Sequence, residues 1–342
     1  MKKRIILCLV RKVLMGVAAL MLIVCFSGCS PGAGLEWGHV PSGTFAEPQY
    51  IPAFDASSTG WLSDGWGILV GSDNVSIDPD HLSGCGRKTI NAYNTALPAL
   101  MSKQSGFSSD WANVQLTYPA NWDKVSTEQK KEIALQIAES LAFNVEIWHE
   151  AASWYGWTTL IISDDFQSAF SWEDLYCDLL GAKIAVEALR VGGGDIATVS
   201  RNFTNIRARE FAKRQLVSAA RAKEITDTVK GEGKWWIRVM PSLHSTIYMR
   251  NFDIGSDGWV SPIPIPGSAK LKPIDLAAPS LDKLDACGLK MKLTLSHGAP
   301  CTGTGKNALG INREIEPSDF PKLIGILSKQ AVEQYHFPIN SN

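Results

Sequence analysis

The chain has 342 residues, with 33 basic and 34 acidic side chains and 45% apolar content. That mix belongs to a globular protein and excludes disordered, collagenous and multi-span membrane chains. Residues 1–28 hold five basic groups and no acid, so the remaining 314 residues carry 28 basic and 34 acidic groups, net −6. An acidic body lacks the cations that displace counterions from phosphate, which excludes a general nucleic-acid binder.

The chain opens on an address. Lys2, Lys3, Arg4, Arg11 and Lys12 precede the apolar run Val13 to Phe26, then Ser27-Gly28-Cys29-Ser30. The run is short of the roughly 20 residues that span a bilayer, and it suits a signal-peptide core over 1–28. The residues before Cys29 resemble the lipobox of bacterial lipoproteins, which implies acylation of Cys29 and attachment to a membrane through that lipid. The resemblance departs at Phe26, where the lipobox usually has Leu. An ordinary secretory signal or a single membrane anchor is the alternative. Residues 29–34 read as a tether, and Ser30 favours, by analogy, the outer membrane facing the periplasm. Export leaves Cys85, Cys177, Cys287 and Cys301, an even number that permits two disulfides. Cys287 and Cys301 flank an expected strand and form the expected pair; four buried thiols are the alternative.

Residues 35–84 are rich in Gly, Pro, Ser and Trp and read as loops, with brief strands at Gly67–Val70 and Val75–Ile77. A helix is expected over Arg87–Ser102, bent at Pro98. A longer one runs from Thr127 to Tyr155, capped by Ser126, with Ile133, Ile137, Leu141, Val145, Trp148, Ala152 and Tyr155 as its apolar stripe. A second begins at Ser171, where Ser-Trp-Glu-Asp approximates a capping box, and ends before Gly192. A third spans about Asn202 to Lys230; its basic side chains read as a solvated face, with an anionic-headgroup surface as the alternative. Strands are expected within Lys234–Met240, Ser245–Ile254 and Lys290–Ser296, and a last helix over Pro321–Tyr335. Helices come early and strands late. The prediction is one compact α+β domain over 35–342, with a helical core at about 87–230 and a β-rich part at about 234–300.

The chemistry concentrates on the 127–155 helix. Glu139, Glu146, Glu150, Ser153 and His149 fall within a sector of about 100 degrees. Water is the ordinary destination of such a strip. Phe143, Ile147 and Trp154 flank it, however, so a second element is expected to cover it. Glu146-x-x-His149 lets a carboxylate and an imidazole share one metal from one turn. Ser153 stands where a zincin would need its second His, so a further ligand must come from elsewhere. His81, on an expected loop at Asp78-Pro-Asp-His81, is the candidate. The expected ligands are therefore His81, Glu146 and His149, with Glu150 as base and a divalent metal such as zinc. A hydrogen-bonded structural histidine beside surface carboxylates is the alternative.

Three stretches together resemble a family. They are Glu146-Ile-Trp-His-Glu-Ala-Ala-Ser-Trp-Tyr-Gly156; Ala169-Phe-Ser-Trp-Glu-Asp-Leu-Tyr176 with Leu179-Leu-Gly181; and Arg250-Asn-Phe-Asp-Ile-Gly255 with Trp259-Val-Ser-Pro262 and Pro266-Gly267. They are similar to the bacterial lipoprotein family known as domain of unknown function 4056, over about Gly67 to Pro317. Asp78-Pro-Asp-His81-Leu resembles that family's Asp-x-x-His segment. The resemblance implies a location and no reaction. Two functions are carried forward: an envelope lipoprotein with a metal-dependent hydrolase-like site acting on an envelope molecule, and a non-catalytic lipoprotein that binds a protein or glycan partner.

Overall fold

The computed structural model describes residues 54–56, 68–156, 166, 168–232, 235–238, 245–296 and 299–339. The expected signal segment 1–28, the tether 29–34 and Cys29 lie outside the described residues.

Two short antiparallel strands, β1 (Leu69–Val70) and β2 (Ser76–Ile77), lead into the first long helix. Helix α1 runs Pro79–Met101. Asp78 caps it by accepting the Asp80 amide at 2.7 Å, and Pro79 takes the first helical position, where a missing N–H costs nothing. The loop expected at Asp78–His81 is therefore the first turn of a helix, well before the expected start at Arg87. Next comes a hairpin that the sequence reading missed, β3 (Gly106–Ser109) and β4 (Ala112–Thr117). Its turn holds Asp110 at φ 48°.

Helix α2 (Thr127–Trp154) starts at a complete capping box: Ser126 Oγ accepts the Gln129 amide, and Gln129 Oε1 accepts the Ser126 amide. Helix α3 spans Asp174–Gly192 and begins later than the expected Ser171. There the box forms in one direction only, with Ser171 N and Oγ both donating to the Asp174 carboxylate at 2.8 and 2.7 Å.

The single third helix is two, α4 (Ile196–Arg214) and α5 (Ala219–Glu232). Gln215 turns left-handed at φ 49°, and Val217 N donates to Val70 O, which ties the break to β1. The basic face of α4 is not simply solvated. Arg214 is buried against Asp73 at 2.9 Å, and Arg207 is buried too.

Small elements follow. β5 (Trp236–Arg238) pairs with β6 (Ser245–Ile247), and β7 (Trp259–Val260) with β8 (Leu276–Ala277). Then come the short α6 (Asp282–Ala286), β9 (Lys290–Leu295), α7 (Ala299–Leu309) and α8 (Phe320–Glu333). β9 pairs antiparallel with β4 from Ala112↔Leu295 to Thr117↔Lys290, so one three-stranded sheet, β3-β4-β9, joins the front of the chain to its back. The result is one compact α+β domain, mainly helical to residue 232, with small strand pairs after it. Among the described residues, no helix is long and apolar enough to cross a membrane.

Helices α1, α2 and α3 pack mutually at the centre of the core. At Gly181 the α3 backbone comes so near α1 that an added Cβ would strike the Leu82 carbonyl. Trp122, Trp148, Trp172 and Trp235 are fully buried. The expected Cys287–Cys301 disulfide is absent, and both are free thiols. Cys287 lies beside Glu128, Glu132 and Ile133 at the start of α2, whereas Cys301 Sγ lies 3.8 Å from Tyr155 O at its end. At about 1.5 Å per residue, that separation is roughly 30 Å. A disulfide needs Cα atoms within about 7 Å.

Candidate functional site: a buried carboxylate–histidine centre

Three helices turn polar residues toward one another inside the core. Helix α1 supplies His81, Cys85 and Lys88 at i, i+4 and i+7; α2 supplies Glu146 and Glu150; α3 supplies Asp174 and Asp178. Each spacing stacks its side chains on one helix face. Asp78 and Glu173 join from the helix starts. All six carboxyl-bearing residues are 5% exposed or less.

The starts of α1 and α3 are locked together. Asp78 N donates to Cys177 Sγ at 3.2 Å, and Trp172 Nε1 donates to Ser76 Oγ at 2.9 Å. His81, in the first turn of α1, is thereby held over α3. Its Nε2 lies 3.3 Å from Asp174 Oδ1 and its Nδ1 lies 3.4 Å from Asp178 Oδ1. Burial opposes a charge on this imidazole, but Asp174 and Asp178 together outweigh it, and His81 keeps its proton well above the usual histidine range.

Lys88 serves the other end. Its Nζ donates to both oxygens of Glu146, at 2.7 and 2.6 Å. Burial works against the ammonium, and Glu146 more than compensates, so the Lys88 pKa rises. The same ammonium sits 5.7 Å from the centre of the Trp111 ring, and that ring is 5.2 Å from His149. Trp111 belongs to the β3–β4 turn. Lys88 and His149, at 28% and 27% side-chain exposure, mark where the centre reaches the surface.

Glu150 lies between these ends. Its Oε2 accepts the Phe170 amide at 2.5 Å, and its Oε1 is 3.9 Å from His149 Nε2. Burial, then Asp174, drives its pKa well above the carboxylate range. Glu173 is raised by burial and the same neighbour. Burial followed by Glu146 lifts Asp178 to about 7. Among the described residues, the Asp178 carboxyl has only the long approach of His81 Nδ1 at 3.4 Å and no well-formed hydrogen bond. Arg250 closes the centre from the C-terminal segment, where burial lowers its pKa to about 9 against the pull of Asp174 and Glu150.

Six carboxyls thus gather with Lys88, Arg250 and the imidazoles of His81 and His149. A buried excess of anions is tolerated only when protons or a cation neutralise it. Among the described residues, one group brings three ligand atoms within 4.8 Å of one another: Cys85, Glu146 and Asp178. The expected set His81, Glu146 and His149 is not brought together in this way. His81 faces α3, Glu146 is engaged by Lys88, and His149 points to Glu150 and Trp111. Covering of the Glu146–Glu150 strip was expected and is found, with α1 and α3 as the cover. Cys85, Lys88, Asp174 and Asp178 were missed. Their signals were the i, i+4 spacings of 81/85 and 174/178, each lying against a helix start.

The family model described as Protein of unknown function (DUF4056) matches residues 43–264. The chain belongs to this family. Within the DUF4056 match lie α1 to α3 and every group of the centre, including Arg250. The match begins earlier than the similarity read from the sequence and ends before β9. Neither a curated protein nor a solved structure matches the chain.

Proposed function

We propose that this DUF4056 protein is a lipid-anchored protein of the bacterial envelope, on the outer membrane facing the periplasm. In this reading its three-helix centre binds a divalent cation, zinc foremost, and hydrolyses an envelope molecule. The anchor reading is supported by the basic start, the apolar run and Ser27-Gly28-Cys29.

One observation carries the metal reading: Asp178 is 1% exposed, its carboxyl has no approach among the described residues closer than His81 Nδ1 at 3.4 Å, and it sits beside Cys85 and Glu146. A thiolate and two carboxylates are donors suited to zinc and leave a fourth position for water. Zinc lowers the pKa of such a water toward 7. A bound metal would compete with Lys88 for Glu146, and Lys88, at 28% side-chain exposure, is the partner nearer to solvent. His81 lies beside Asp178, and Glu150 is the proposed base, which would act once it has released the proton that burial and Asp174 hold on it.

Burial pushes the Cys85 thiol well above its usual range, and Asp178 titrates at about 7, so zinc must displace protons to bind. Calorimetric zinc titration of the full chain, in two buffers of different ionisation enthalpy, tests this. Saturable binding with released protons is expected, and no saturable binding sinks the reading. The non-catalytic alternative, a lipoprotein that binds a protein or glycan partner, is favoured by Lys88 and His81 already standing as counter-ions. It predicts no zinc binding.

A further inference from the structure

A separate cavity of about 420 Å³ lies beside the β1–β2 turn and the start of α5, and no described lining residue carries a carboxylate. Its polar lining includes Ser72, Asn74, Ser218, Arg221, Ser268 and Lys270.

The walls are fixed by their own hydrogen bonds. Ser72 Oγ donates to Gln215 O at 2.7 Å, and Asn74 Nδ2 donates to Gly267 O at 3.0 Å. The amides of Lys270 and Leu271 both reach Ser72 O. Asp73, between two lining residues in sequence, is absent from the lining; its carboxylate is taken by Arg214 at 2.9 Å.

The cations are available. Lys270 makes no ion pair among the described residues. Arg221 Nη1 pairs with Glu224 at 2.6 Å, and that glutamate side chain is 66% exposed. A solvated carboxylate is a weak competitor for a guanidinium. The dipole of the 14-residue helix α5, which starts at the same wall, adds to the positive potential.

We propose that this cavity binds a phosphate-type oxyanion, held by Arg221 and Lys270 with the Ser218 and Ser268 hydroxyls as additional donors. A planar guanidinium, an ammonium point charge and hydroxyls are the groups that recognise such an ion. The source is a soluble phosphate or a phospholipid headgroup. The site stands apart from the carboxylate–histidine centre and does not depend on metal there.

The test is calorimetric titration of the full chain with inorganic phosphate, with dihexanoyl phosphatidylglycerol, and with dihexanoyl phosphatidylcholine as zwitterionic control. Variants are Arg221→Gln/Lys270→Gln, Lys270→Gln alone, and the charge-keeping Lys270→Arg. Binding that weakens about tenfold or more in the double variant and survives in Lys270→Arg is expected. Tighter binding of phosphatidylglycerol than of phosphate identifies a headgroup, and the reverse identifies a soluble ion; both support the site. Should the double variant fail to fold, Lys270→Gln, altered at an exposed residue, carries the comparison. Absence of binding by either anion at about 10 mM, or equal affinity in wild type and glutamine variants, overturns the proposal.

Discussion

Lys88 on α1 places its ammonium against both carboxylate oxygens of Glu146 on α2, at 2.7 and 2.6 Å, one helical turn from Cys85. The nest that suits a metal therefore has a resident cation of its own. Replacing Lys88 by Met leaves Glu146 buried without that partner. A loss of about 2 kcal/mol is expected, below the cost of breaking a fully buried pair because Lys88 is partly exposed. Zinc should restore it. Thermal unfolding with chelator and with zinc measures both: zinc should raise the Tm of Lys88→Met more than that of wild type. An equal rise would show that lysine and metal do not share the nest.

The centre also sets a direction for pH dependence. Asp178, raised to about 7 by burial and Glu146, holds its proton in the folded chain over a range where the unfolded chain, titrating near 4, has released it. Glu150 and Glu173 are shifted the same way. His81, raised by its aspartates against burial, contributes stability that is complete below about 6.5 and is lost as pH rises through its folded pKa. The three carboxyls favour folding less as pH rises above about 4, and His81 does so only above about 6.5. Glu132 acts oppositely at lower pH: its hydrogen bond from Arg190 lowers it to about 2, so its contribution is lost as pH falls from about 4.5 through 2. Without a divalent cation, the Tm should peak near pH 5 and fall toward pH 8. A Tm that stays level or climbs between those values would contradict the assignment.

Asn at position 178 imitates the protonated carboxyl in shape and carries no charge. Asp178→Asn should fold, should gain stability over wild type at pH 8 in chelator, and should flatten the decline between pH 5 and 8. Urea unfolding at both pH values reads this out. A variant as pH-sensitive as wild type would mean that Asp178 is not the group titrating.

Gly181 lets α3 approach the Leu82 carbonyl of α1, which holds His81 between Asp174 and Asp178. Gly181→Ala forces the helices apart and should cost about 1–3 kcal/mol in urea unfolding. Gly156→Ala is not an equivalent control, because Gly156 has φ 85°. Gly303, with nothing within 4 Å of an added Cβ, serves instead. Similar losses at 181 and 303 would mean that the close approach is not what holds α1 to α3.

Much of this was legible where local signals agree. The Ser126 cap and the apolar stripe from Ile133 to Tyr155 placed α2. The apolar shoulder Phe143, Ile147 and Trp154 correctly marked Glu146 and Glu150 as covered, and all three are buried. Asp78-Pro79 was also a readable helix start, but Ser83, Gly84 and Gly86 gave the segment a loop composition. Gly86 packs under Phe203, so its small size serves helix contact rather than a turn. Other features have no local cause. The break at Gln215 contains no Gly or Pro and is fixed by a hydrogen bond from Val217 to β1, far away in sequence. Strands β3 and β4 are short, and β4 gains its second partner only from β9. Asp174 read as a capping residue, which it is in part, and that role concealed its position beside His81.

The most direct test is the metal content of the full chain extracted from the envelope without chelator, measured beside Asp178→Asn and a Cys85→Ser variant. About one zinc or other divalent ion per wild-type chain is expected, with loss of that ion in Asp178→Asn and depletion in Cys85→Ser. A wild-type protein without stoichiometric metal, or an Asp178→Asn variant that retains as much as wild type, would contradict the account.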